Sequence, residues 1–118
     1  MKKIDIEQLL NVAIKAVGEA GRHALNERKR SRDTVSTSAH DIKLVLDIEC
    51  QEIAEEIIIK SYPDHTIIGE EGNSTGTSSL FEWIIDPIDG TVNYSHGFSH
   101  WCCSIALRYN NEIIVGAV

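Results

Sequence analysis

Two carboxylates, Asp86 and Asp89, sit in the stretch Trp83-Ile84-Ile85-Asp86-Pro87-Ile88-Asp89-Gly90-Thr91-Val92-Asn93-Tyr94. Trp83 to Ile85 is a β-prone run suited to a buried strand. Pro87 cannot donate a ladder hydrogen bond and Gly90 permits tight backbone geometry, so the strand is expected to stop at or near Asp86. Acids at a strand end without basic neighbours need a cation between them, and no Lys or Arg occurs between residues 61 and 107. Carboxylate oxygens are hard ligands that suit Mg²⁺ or Mn²⁺ rather than a soft metal. Taken alone, Asp-Pro-Ile-Asp-Gly reads equally well as a plain turn. A second apolar run, Ile67-Ile68, also ends in acids, Glu70 and Glu71, between Gly69 and Gly72. The repeat of this arrangement in one short chain favours an acidic metal pocket over two solvated turns. The spacings name no reaction.

Gly69-Glu70-Glu71, then Trp83 to Thr91, then Asn93-Tyr94 with Gly97-Phe98, resemble in their order the inositol monophosphatase family of Mg²⁺-dependent, lithium-sensitive phosphatases. The resemblance runs from about Asp41 to the C-terminal strands. It implies that Glu70 is a ligand of a first metal, Asp86 a carboxylate bridging two metals, the Ile88 carbonyl a further ligand of the first metal and Asp89 a ligand of the second. It implies that Gly90 and Thr91 meet the substrate phosphate, with Glu70, Ile88 and Asp89 around it, and that Glu70 and Thr91 orient and deprotonate the attacking water. Upstream, Asp41-Ile42-Lys43-Leu44-Val45-Leu46-Asp47 resembles the segment in which the second Asp opens a helix. Asp47 is then an outer-shell residue near a third metal, or a helix N-cap, or both. Lys43 departs from the small or hydroxylated residue expected there. Two or three Mg²⁺ ions, with Mn²⁺ as a substitute, and a small phosphomonoester such as inositol 1-phosphate are the implied cofactor and substrate. A sugar bisphosphate or a nucleotide 3′-phosphate is the alternative substrate, and a non-catalytic metal- or phosphate-binding module the alternative function. The Trp-Asp-x-x-Ala-Gly motif that completes the family's second metal site from a C-terminal half has no counterpart here. Residues 1–118 are therefore expected to be the N-terminal metal-binding part of a longer domain, or a short form whose sheet edge pairs with a second copy.

The elements that must position these residues follow from periodicity. Ile6, Leu9, Leu10, Ala13, Ala16, Val17, Ala20 and Ala24 recur at helical spacing behind Asp5, which with Gln8 resembles a capping box. Arg28 to Arg32 is a basic helix end. Arg30 or Arg32 is a candidate phosphate contact, though a solvated face is the simpler reading. Ser31 to His40 reads as a polar connection. Cys50, Ile53, Ala54, Ile57 and Ile58 mark a second helix from about Asp47 to Lys60, closed by Tyr62-Pro63. A strand is expected at Thr66 to Ile68, a mobile loop at Gly72 to Ser79, and strands at His100 to Tyr109 and Glu112 to Val118 joined by a tight turn at Asn110-Asn111. The sum is one α+β unit, two helices packed on a mainly antiparallel sheet.

With 118 residues, 42% of them hydrophobic, the chain can bury one modest core. A formal charge of −7 argues against adhesion to nucleic-acid polymers or membranes, and no apolar stretch reaches bilayer-spanning length. A cytoplasmic location is the expectation. Cys50, Cys102 and Cys103 lack ligand spacing and read as buried structural thiols in a reduced compartment. His96 and His100, near the acidic turn, read as surface or packing residues.

Overall fold

The computed structural model describes residues 4–37, 42–69, 72–75 and 79–118. Helix α1 spans Ile6–Asn26 and helix α2 Val45–Ser61. Asp5 starts α1 as expected: its carboxylate accepts the Gln8 amide N–H at 3.1 Å. The buried stripe Leu9, Ala13, Ala16, Val17, Ala20 and Ala24 then faces inward. Its small side chains let α2 approach closely, and the Cys50 thiol of α2 donates to the Ala20 carbonyl of α1 at 3.3 Å. Helix α2 begins two residues before the expected start, with Leu44 at its N-cap. Asp47 is thus not the cap itself; from the first turn its Oδ2 accepts the Leu44 N–H at 3.0 Å. Its carboxylate relieves one of the orphan donors that every helix start presents.

A five-stranded sheet runs in the order β4 (Gly72–Thr75), β3 (Thr66–Gly69), β5 (Phe81–Asp89), β6 (Cys102–Tyr109), β7 (Glu112–Ala117). Only β3 and β5 pair in parallel; the other three pairings are antiparallel. Ile67, Trp83, Leu107 and Val115 fall in register across four strands, all buried. This row, with Ile85 and Ile105 beside it, forms the sheet side of the core; α1 packs on β5, β6 and β7, and α2 on β5. Asn110 and Asn111 both adopt positive φ, 48° and 67°, the left-handed pair that a two-residue hairpin demands.

Three expectations are corrected. The polar connection at Ser31 to His40 contains β1 (Thr34–Thr37), which pairs antiparallel with β2 (Ile42–Leu44). The loop expected at Gly72 to Ser79 begins with β4, because an edge strand needs only its backbone groups for the ladder and a polar Gly/Ser/Thr composition does not forbid it. A short helix α3, Thr91–Ser95, follows the acidic turn where none was expected. No helix among the described residues is long and apolar enough to cross a membrane.

Under the sheet, Trp83 Nε1 donates to His65 Nδ1 at 3.0 Å, and the His65 ring stacks between Tyr62 and Phe81 at centroid distances of 4.5 and 4.4 Å. Accepting that bond requires a neutral Nδ1. Burial holds the His65 pKa below its ordinary value, with Asp64 opposing. A histidine whose folded pKa is depressed costs nothing while both folded and unfolded states are neutral. As pH falls below about 6.5 the unfolded chain takes up a proton that the folded chain refuses. The unfolding free energy from urea titrations should therefore be level from pH 8 to 7 and decline below about 6.5, by about 1.4 kcal/mol for each unit of depression. His65→Asn, which keeps an acceptor, should flatten the decline between pH 6.5 and 5; an identical profile in the variant would exclude His65 as its source.

Candidate metal and phosphate site

Strand β5 carries the acidic turn at its C-terminal end, and the pairing with β6 explains how two carboxylates three residues apart reach the same face. Asp86 lies opposite Ser104 and Asp89 opposite Cys102, so three steps along β5 match two along β6. That β-bulge spans Pro87, which has no N–H for the ladder. In an unbulged strand, residues three apart point to opposite faces. Here the extra residue brings Asp89 back to the face of Asp86, while Pro87 and Ile88 both turn into the core. The sequence-based stop at Asp86 is therefore a bulge, and β5 continues to Asp89.

Asp86 is half-buried, with Oδ1 shut off from solvent, whereas Asp89 is exposed. The Cys103 thiol donates to the Pro87 carbonyl at 2.6 Å and so fixes the bulge from beneath. Gly90 follows in the left-handed region, φ 93° and ψ 41°, as the N-cap of α3. A Cβ there would lie 2.8 Å from the His100 carbonyl oxygen and 3.3 Å from Trp101 Cα. Next, the Thr91 hydroxyl donates to the Ile88 carbonyl at 3.0 Å, joining two of the groups singled out in the sequence. Tyr94 anchors this assembly: it is buried, and its hydroxyl donates to the Ala24 carbonyl of α1 at 2.6 Å. Burial pushes the Tyr94 hydroxyl up to about 12.

Burial and the neighbouring acids both act on the thiols. Burial pushes Cys103 up to about 12, with Asp86 and Asp47 both adding to the rise. Cys102 is raised by burial and then by Asp89 and Asp86. Cys50 and Cys103 are buried as expected, and all three cysteines are free. Cys102 departs from the expectation: half-exposed, its Sγ lies 4.0 Å from Asp89 Oδ2, on the carboxylate face. Alternation along β6 sets it there, and the adjacent Cys-Cys pair had concealed the alternation.

Glu70 and Glu71 lie outside the described residues, as does Asp41. The β3–β5 register pairs Gly69 with Ile85, the residues immediately before Glu70 and Asp86. Gly69 is kept bare by Gln51, a buried residue of α2 whose amide a Cβ at 69 would overlap. Sequence reasoning missed Gln51, since nothing marks which polar helical residue faces a strand end. Among the described residues no three of His, Cys, Asp and Glu gather closely enough to hold an ion on their own. His96 and His100 are exposed, and His96 Nδ1 lies 2.8 Å from the Val92 carbonyl. Arg30 is not at the turn: it grips Glu49 through bonds of 2.5 and 3.2 Å, and with His23 it holds that carboxyl down at about 2.

Comparison with known proteins gives the chain's relatives. The profile of the inositol monophosphatase family covers residues 5–118. A protein of Pasteurella multocida named Nus factor SuhB is 42% identical over 113 residues, 93% of this chain and 42% of that protein. The inositol monophosphatase of Dictyostelium discoideum is 35% identical, covering 100% of this chain and 45% of its own length. Among solved structures, the IMPase of Thermotoga maritima superposes with a TM-score of 0.79 at 33% identity, over 90% of this chain and 41% of that one. The chain spans less than half the length of these relatives. With its bulged Asp86–Asp89 turn, its α+β layering and this match from residue 5 to residue 118, the chain belongs to the inositol monophosphatase family.

Proposed function

We propose that this chain supplies the metal- and phosphate-binding part of a Mg²⁺-dependent phosphomonoesterase that hydrolyses a small polyol phosphate such as inositol 1-phosphate. The observation that carries the proposal is the bulge that returns Asp89 to the face of Asp86, beside a Thr91 hydroxyl bonded to the Ile88 carbonyl. These donors fit a hard divalent cation: two carboxylates and a carbonyl, with one Asp86 oxygen shielded from solvent. Asp86, Asp89 and the Ile88 carbonyl would hold it, joined by Glu70. A divalent cation there supplies a lowered pKa for water and charge neutralisation on the entering and leaving oxygens.

The protein's own groups do the rest. The Thr91 proton is committed to the Ile88 carbonyl, so its oxygen is left to accept from the attacking water and aim it. Gly90, held at φ 93° against the His100 carbonyl, turns the backbone into α3, where we assign Gly90 and Thr91 to the phosphate. We assign Glu70 as the base, and Asp47 as an outer-shell residue that acts through the first turn of α2. The location implied is cytoplasmic.

The test is a chimera in which residues 1–118 replace the matching segment of a full-length inositol monophosphatase. Mg²⁺-dependent release of phosphate from inositol 1-phosphate supports the proposal, and a folded, inactive chimera of an active parent rejects it. Thr91→Val, which keeps the shape and removes the hydroxyl, should lower turnover by about a hundredfold, since one preorganised polar contact is worth about 3 kcal/mol. Undiminished turnover would exclude the water-orienting role. A second reading has support in a curated relative from Aquifex aeolicus named fructose-1,6-bisphosphatase/inositol-1-monophosphatase, 36% identical over 117 residues. A chimera that prefers a sugar bisphosphate would select it.

A further inference from the structure

Two cavities of similar size lie away from the carboxylates, and their linings differ in a way that decides their roles. The first, about 490 Å³, is bordered by Asp5, Tyr62, His65, Phe81 and Tyr109. Its rings are committed to one another: Tyr62, His65 and Phe81 stack nearly parallel, within 8°. Asp5 is committed to capping α1. Little in that cavity is left to recognise a ligand.

The second, about 500 Å³, opens between the C-terminal end of α1 and the segment after α3. Volumes of this order hold small-molecule ligands. Arg28 and Lys29 line it on one side, and Phe98, Ser99 and Trp101 on the other. Phe98 is 62% exposed, and its partner ring, His96, is 6.5 Å away. Trp101 meets Tyr94 at 82°, so these two rings do not stack face to face. The charge here opposes that of the chain. Against a formal charge of −7, four of the eleven basic residues fall between positions 28 and 32. Arg30 is bound to Glu49, whereas Arg28 gives one donor to the Leu25 carbonyl and Lys29 is exposed. A guanidinium and an ammonium with the exposed Phe98 ring, the half-buried Trp101 indole and a hydroxyl fit a ligand that joins a flat ring to a phosphate.

We propose that this groove binds a mononucleotide, its base against Phe98 and Trp101 and its phosphate on Arg28 and Lys29. The groove lies behind the acidic turn, where the Trp101 backbone backs Gly90, and it contains none of the carboxylates assigned to metal.

The two tryptophans make the test direct: Trp83 is fully buried and Trp101 lines the groove, so a ligand-induced change in emission reports Trp101. The 118-residue chain is titrated with AMP in EDTA, which separates this site from the metal site. Saturable quenching is expected, much weaker with adenosine or inorganic phosphate alone because each supplies half the contacts. Arg28→Gln and Phe98→Ala, both at exposed positions, should each weaken it about tenfold while leaving the unfolding midpoint unchanged. No saturable response up to about 10 mM AMP, or equal affinity in both variants, would overturn the proposal. A short oligoadenylate that binds where AMP does not would overturn it in favour of a single strand. If Phe98→Ala splits a dimer that AMP fails to perturb, the groove is a self-association face and the proposal falls. None of these outcomes bears on the phosphatase reading, which depends on carboxylates that do not line the groove.

Discussion

Asp86→Asn in the full-length chimera should lower hydrolysis of inositol 1-phosphate by roughly a thousandfold or more and sharply weaken Mn²⁺ binding. The change keeps the shape of the side chain and removes its charge. Asp86 occupies the bulged end of β5, half-buried, one oxygen shut off from solvent and no Lys or Arg between residues 61 and 107. In the proposed function Asp86 bridges two divalent cations, which an amide cannot do. A missing oxyanion-hole donor costs about 3 kcal/mol. If Asp86 bridges two metals as proposed, its change withdraws support from both positions, and a larger loss is expected. Titration calorimetry with Mn²⁺, with circular dichroism to confirm the fold, measures the effect. Wild-type affinity in a folded Asp86→Asn protein would remove Asp86 from the site.

Gly90→Ala should be the most damaging of the conservative changes at the turn, lowering stability by about 2–5 kcal/mol. Two costs add. Placing a Cβ on a residue held at φ 93° costs about 1–2 kcal/mol. Overpacking costs about 1–3 kcal/mol, because the new methyl would meet the His100 carbonyl oxygen at 2.8 Å, and that oxygen is backbone already accepting the Asn93 side-chain amide at 3.0 Å. Urea unfolding of the 118-residue chain measures the loss. Gly97→Ala is the control: it also has positive φ, 80°, but nothing lies within 4 Å of its new methyl, so only the conformational cost applies. Equal losses in the two variants would show that the contact with His100 carries no weight.

The sequence by itself determined the main elements and the candidates for chemistry. The spacing of small apolar residues behind Asp5 announced α1, Asn110-Asn111 announced the hairpin, and hard acids beside glycines, with no basic residue nearby, raised the divalent-cation site proposed above. These signals are local, since capping, turn geometry and amphipathic spacing act within a few residues and survive in any fold that uses them. The tertiary structure decided which side of the sheet each group serves. Nothing in Asp-Pro-Ile-Asp-Gly states that a bulge against Ser104 and Cys102 turns Asp89 back to the face of Asp86, for that register belongs to β6. The open position of Cys102, the Tyr94 anchor on α1, the Gln51 contact with Gly69 and the strands β1 and β4 have the same origin. Each depends on a partner distant in sequence, or on ladder hydrogen bonds that any side chain permits. A chain read one residue at a time shows what its groups can do, and only packing places them together.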